Sequence, residues 1–255
     1  MNTLDSLVLI QGAMQSEISF LLENLKESRY VEIDGFPFYR GVLDGSPVVV
    51  SKTFSGKVNA SLATVLGIRS FSPTYVLNQG TAGAHKPEYN VGDIIIGERY
   101  IDYDSTRTLQ TKEKGEGYSF TNQRIKSHVY NGREWEGLSE LKPTSHLLDA
   151  AVSVPFTTGK KYKGTIATGD GYNKEYDAIT DLKQTFSSDC EEMETFAVAH
   201  ICRHYSTPFL GIRVISNNEL RNIPFDSSSC EVCQRFCLDV IRTINDTDHR
   251  FKGAP

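Results

Sequence analysis

The residues of this chain that could do chemistry fall in four short stretches. In Ser188–His200, three carboxylates (Glu191, Glu192 and Glu194) surround Met193 and lead into an apolar, alanine-rich segment. A carboxylate taken out of water without a partner is strongly unfavourable. A polyhydroxylated ligand such as a ribose would supply that partner. So would a helix N-terminus, where the macrodipole favours acidic side chains in the first turn. Gly12-Ala-Met-Gln-Ser-Glu17 sets one carboxylate just after a glycine, where an exposed first-turn helix residue is the plain alternative. Gly80-Thr-Ala-Gly-Ala84 offers a backbone-amide cradle for an oxygen-rich ligand, or simply a tight turn. Ser216-Asn217-Asn218 closes the fourth stretch. Neither glycine stretch fits the P-loop or the dinucleotide fingerprint.

Elements that alternate between strand and helix must hold these groups. Leu7–Ile10 is an apolar run stopped by Gly12, which reads as a buried strand, and Ser16–Lys26 carries apolar residues at helical spacing. Residues 37–41 and 47–51 flank the Asp44-Gly45 turn signal and predict a hairpin. A helix over 59–67 ends at glycine. Strands follow at 74–77, 91–96, 164–168 and 208–215, with helices at 145–152, 192–204 and 230–244. Residues 105–140 are polar, include the Lys112–Gly117 run and show no sustained period, so they read as an excursion or lid. The pattern implies one α/β domain over 1–255, with a mixed, twisted central sheet flanked by helices. The loops after strands near Gly12, Gly80 and Ser216 are where such sheets collect ligands.

The bulk numbers narrow the function class. A net charge of −5 argues against a nucleic-acid partner, which would want a basic face. The amino-terminal residues lack a secretory pattern and no apolar run approaches a membrane span, so the chain reads as cytoplasmic with no membrane partner. Five cysteines in such a chain are free thiols, and Cys230-Glu-Val-Cys233 lacks the second pair a metal site needs. No metal-ligand cluster emerges. Asp102 and Asp104 follow a strand and read as surface caps or as groups near a partner or ligand; His85 and His200 are single histidines. Arg213, mid-strand, needs an acidic partner such as Glu192.

The stretches Gly12–Glu17, Asn78–Ala84, Val91–Asp93, Glu192–Glu194 and Arg213–Ser216 occur in an order and spacing that resembles the nucleoside phosphorylase/nucleosidase superfamily. The closest likeness is to the bacterial 5′-methylthioadenosine/S-adenosylhomocysteine nucleosidases, over about residues 7–104 and 145–245. The resemblance implies a nucleoside phosphorylase-like fold, no cofactor, a purine nucleoside and water as reactants, and a homodimer in which one subunit closes the other's 5′ pocket. It implies that Glu17 activates the attacking water and that Thr81 contacts that water or the sugar, with Ala82 and Gly83 beside it on the substrate. Met193 and Glu194 would hold the ribose next to Glu192, Tyr172 would stack on the purine, and Ser216 and Asn217 would face its imidazole edge.

Two features bear on the reaction. A phosphorylase surrounds phosphate with cationic donors, ideally arginine, but the Gly12 stretch has none and Asn78 stands where some relatives place one. Glu17 would repel phosphate, which favours hydrolysis over phosphorolysis. The second feature is a departure: the family's proton donor to the purine is an aspartate, and here the position is Asn217. An amide cannot deliver a proton, and general-acid catalysis contributes about 10²–10⁴ in rate. Three readings stay open: an adenine substrate with the proton from water or Glu219, a 6-oxopurine nucleoside of inosine or futalosine type, and a non-catalytic nucleoside-binding protein.

Overall fold

The computed structural model describes residues 6–107 and 123–252. In chain order the elements are β1 (Val8–Gly12), a 3₁₀ turn (Gln15–Glu17), α1 (Ser19–Asn24), β2 (Lys26–Ile33), β3 (Phe36–Leu43), β4 (Ser46–Lys52), α2 (Lys57–Phe71) and β5 (Tyr75–Ala84). Next come β6 (Ile94–Asp102), β7 (Thr106–Arg107), β8 (Gln123–Arg124), β9 (Ser127–Tyr130), β10 (Trp135–Leu138), α3 (Ser145–Ser153) and β11 (Lys161–Thr168). The chain continues through α4 (Tyr176–Phe186), β12 (Cys190–Glu192), α5 (Thr195–His204), β13 (Phe209–Asn217), a 3₁₀ turn (Glu219–Arg221) and α6 (Ser229–Lys252).

The main sheet runs β12-β11-β6-β13-β5-β1-β4-β3-β2, with a further pairing of β12 to β5. That extra pairing closes β5, β13, β6, β11 and β12 into a ring, and β1 to β4 extend from it as an open, twisted flank. The sheet is mixed: β1 is parallel to both β4 and β5, whereas β13 is antiparallel to β6 and β12 to β5. β1 is buried at every position, as expected of a central strand covered on both faces.

Helices cover both faces of this sheet. On one, α6 presents Cys233, Phe236, Cys237, Val240, Ile241 and Ile244, the three-to-four-residue spacing of an amphipathic helix, to a core that includes Val8, Ile10 and Leu77. On the other, Ala60 and Ala63 of α2 and Val198 and Cys202 of α5 pack over Leu9, Val76 and Ile215. All five cysteines are buried free thiols. No helix is long and apolar enough to cross a membrane among the described residues.

Several sequence expectations change in detail. The glycine-rich segment at 80–84 is not a loop, because β5 runs through it to Ala84, between β13 and β12. The helix expected from 192 begins at Thr195, after the short strand β12. The helix over 16–26 is a 3₁₀ turn plus α1, and Lys26 opens β2, an exposed strand at the sheet's edge. α4 was not expected at all. Within the 105–140 excursion, β9 and β10 form a hairpin whose Val129 is buried in the core that holds α5, and none of its described residues lines the acidic cavity below. The Lys112–Gly117 run lies outside the described residues.

The turn that carries Glu17 is tied to α6 by one buried side chain. Gln234 Nε2 donates to Ser16 O at 3.0 Å, and its Oε1 accepts from Leu21 N at 3.2 Å. Gln234→Met keeps the volume but orphans both backbone groups. It should lower unfolding free energy by about 1–3 kcal/mol, read from the urea midpoint at unchanged slope.

Candidate active site

A cavity of about 160 Å³ opens where β5, β12 and β13 end beside the turn after β1. Among the described residues its wall holds four carboxylates (Glu17, Glu191, Glu192 and Glu194) and no lysine or arginine. A larger groove of about 920 Å³ lies elsewhere, under the β9–β10 hairpin, and mixes Arg133, Lys142 and Arg203 with Glu140. No comparable acidic convergence occurs there. The candidate site is therefore the smaller space.

Glu17 is buried at one end of the cavity. Its Oε2 accepts from the backbone of Ala13 at 2.8 Å and Met14 at 3.0 Å; its Oε1 accepts from Thr81 N at 2.8 Å and Thr81 Oγ1 at 2.9 Å. Four donors fill the sites a carboxylate offers. The only one that can rotate away is the Thr81 hydroxyl. Such close seating needs a glycine opposite, since a Cβ on Gly80 would come within 2.7 Å of Glu17 Oε1.

The three-carboxylate stretch divides into separate jobs. Glu192 forms a buried ion pair with Arg213, accepts from Thr168 Oγ1, and takes the backbone N–H groups of Glu194 at 2.9 Å and Thr195 at 2.8 Å. It therefore caps α5 and anchors Arg213; although it reaches the cavity wall, its oxygens are committed inside the protein. The expected Arg213–Glu192 pairing is present. Glu194 is held by one bond only, accepting from Gly56 N at 2.8 Å, which leaves Oε2 without a partner among the described residues. Burial, with Glu192 and then Glu17 nearby, pushes the Glu194 carboxyl up to about 8 against the opposing pull of Arg213. Asp102 and Asp104, open in function at the sequence level, both bind Lys57 at the start of α2 and do not line the cavity.

The opposite end is built around Gly83. β13 bulges at Ser216, so that Asn217 pairs with Gly83 from one side while Glu191 of β12 pairs with it from the other. Bulges re-aim side chains in this way beside functional sites. Asn217 Oδ1 accepts from Ser216 Oγ at 3.0 Å and its Nδ2 donates to Glu219 Oε1 at 3.2 Å. Tyr172, half exposed, stands at the mouth with Phe225. Every residue singled out from sequence (Glu17, Thr81, Ala82, Gly83, Tyr172, Glu192, Met193, Glu194, Ser216 and Asn217) lines this one cavity. Sequence reasoning left out Ala13, Met14, Ser55, Phe225 and Glu191. Ala13 and Met14 belong to the Gly12–Glu17 motif, and Glu191 is the one glutamate of the acidic stretch without an expected role.

Comparison with known proteins agrees with this geometry. The family model for the phosphorylase superfamily matches residues 7–242. The chain belongs to that superfamily. Within it the chain groups with the nucleosidases and is an N-glycosidase. It is 32% identical over 212 residues to the 5′-methylthioadenosine/S-adenosylhomocysteine nucleosidase of Anoxybacillus flavithermus, covering 82% of this chain and 84% of that protein. Among solved structures, the nucleosidase of that name from Neisseria meningitidis, in complex with methylthio-immucillin-A, superposes with a TM-score of 0.77 at 26% identity, over 93% of this chain and 99% of that one. The enzyme from Colwellia psychrerythraea, in complex with adenine, gives 0.76 at 26% identity over 94% and 96%.

The raised Glu194 carboxyl has a measurable signature in this N-glycosidase. The unfolded chain releases that proton near 4.5 and the folded chain near 8, so the folded state binds more protons between these values. Stability should therefore fall as pH rises from about 4.5 to 8. Glu194→Gln, neutral throughout, should flatten this slope and raise the thermal midpoint at pH 8. An unchanged slope in that variant would assign the titration to another group.

Proposed function

We propose that this N-glycosidase hydrolyses 5′-methylthioadenosine and S-adenosylhomocysteine to adenine and the corresponding thioribose. The observation that carries the proposal is that Glu17 and Glu194 open onto one cavity whose wall has no cationic side chain among the described residues. Glu17 acts as general base: the Thr81 hydroxyl turns aside, a water takes its place, and the carboxylate removes its proton as the oxygen attacks C1′. Glu194 Oε2 accepts from the ribose hydroxyls, with Met193 packed against the sugar. Cleavage of a glycosidic bond passes through an oxocarbenium-like state. An acidic wall stabilises that developing positive charge and repels phosphate.

Tyr172 and Phe225 face the base, and Ser216 with Asn217 meets its imidazole edge, where an amide is a fitting partner for the adenine N6/N7 edge. The names of the relatives, and the adenine bound in one of them, support the choice of substrate. A 6-oxopurine nucleoside is the second reading, favoured by Asn217 alone, since the same NH₂ group can donate toward N7 and O6. The proposal includes a cytoplasmic homodimer, for which Val58 and Leu62, exposed one turn apart on α2, are the supporting surface.

Adenine release from methylthioadenosine, followed by chromatography with and without phosphate and with inosine in parallel, tests this. Release should be phosphate-independent and inosine inert. Glu17→Gln should lower kcat by about 10²–10⁴ with an intact fold. Strict dependence on phosphate would reverse the assignment.

A further inference from the structure

The departing purine takes the electron pair of the C1′–N9 bond and needs a proton. Asn217 cannot supply one. Glu219, the nearest acidic residue in sequence, accepts from Asn217 Nδ2 at 3.2 Å and from the Tyr172 hydroxyl at 3.5 Å, and is absent from the cavity wall. It steadies the amide from behind.

We propose that Glu191 is the general acid of this enzyme, donating a proton to a ring nitrogen of the leaving base across Gly83 from Asn217. This rests on the hydrolase reading above. Three observations carry it. Glu191 lines the cavity and is registered opposite Gly83, as Asn217 is on the other side. A Cβ on Gly83 would lie 3.3 Å from Asn217 Nδ2 and 3.7 Å from Glu191 Cγ, so the absent side chain leaves a slot between the two polar groups. The edge of a planar base that reaches Gly83 would therefore meet both groups.

The third observation is how Glu191 is held. Its Oε2 accepts from Asn173 Nδ2 at 2.7 Å and lies 3.7 Å from His85 Nε2, while Oε1 makes no hydrogen bond among the described residues. His85 is buried, its Nδ1 is 2.7 Å from Ser188 Oγ, and its Nε2 has no hydrogen-bond partner among the described residues. An otherwise unpartnered imidazole edge thus backs the one carboxylate at the base end. Tyr103, Tyr172 and Cys190 feel the charge of Glu191, and Glu192 is adjacent to it on the cavity wall. The protons balance. Water gives one to Glu17 as its oxygen bonds to C1′, Glu191 gives one to the base as the C1′–N9 bond breaks, and exchange with solvent after product release restores both carboxyl groups.

A leaving group that needs no proton separates this role from a structural one. In Glu191→Gln, adenine release from methylthioadenosine should fall at least about 100-fold. Hydrolysis of p-nitrophenyl 5-methylthioriboside, whose C1′–O bond breaks to expel p-nitrophenolate as a stable anion, should stay within about threefold of wild type. Adding Asn217→Asp, which restores an acid across the slot, should recover adenine release at least about tenfold. An equal loss on both substrates without that recovery, or no loss on either, overturns the proposal. If the wild-type protein itself releases no adenine, the hydrolase reading fails instead.

Discussion

One buried ion pair organises the active-site half of this molecule. Arg213 is fully enclosed in β13, where it donates to Asn78 O and Ile212 O as well as to Glu192, and Asn78 Oδ1 accepts at 2.6 Å. A guanidinium could not remain there without its acid, because breaking a buried pair by removing one partner costs about 3–5 kcal/mol. Glu192 in turn binds the first free N–H groups of α5 and so fixes where that helix begins. The same positive charge opposes the rise of the Glu194 carboxyl. One arginine therefore makes it possible to keep several carboxylates around one small space.

The closed ring of strands explains why residues so far apart in sequence converge. β12 has only three residues, yet it pairs with both β11 and β5 and brings Glu191 beside Gly83. β13 supplies the opposing side through its bulge at Ser216. Glu17 arrives from the turn after β1, held against Thr81 of β5 and locked from behind by Gln234. The two ends of the cavity are thus mounted on one central strand, with Glu17 held at Thr81 and the pair Asn217 and Glu191 flanking Gly83.

Much of this was legible in the residue order. The apolar runs of β1 and β13, the Asp44-Gly45 hairpin and the spacing of Phe236, Val240 and Ile244 in α6 are strong periodic signals, and the family likeness drew the site residues together. What escaped has identifiable physical causes. β2 is an exposed edge strand with charged residues, so it shows little apolar alternation. α4 buries only Ile179, Leu182 and Phe186, a thin stripe on a polar helix. Gly80–Ala84 looked like a loop because glycines weaken strand propensity, whereas here they make room for Glu17 and for the slot at Gly83. In sequence the acidic stretch fits either ligand binding or helix capping. Its three glutamates have distinct surroundings, and only cross-strand register, invisible in a linear chain, separates them.

Gly83 also bears on how such an enzyme can diverge. Because the groups on its two flanks come from separate strands, and neither bonds to Glu17 or Glu194, either could be exchanged during evolution without disturbing the carboxylates proposed to hold the pentose and its attacking water. A lineage could shift its nucleobase preference through single replacements on these two neighbours, keeping an ancestral sugar-handling apparatus intact.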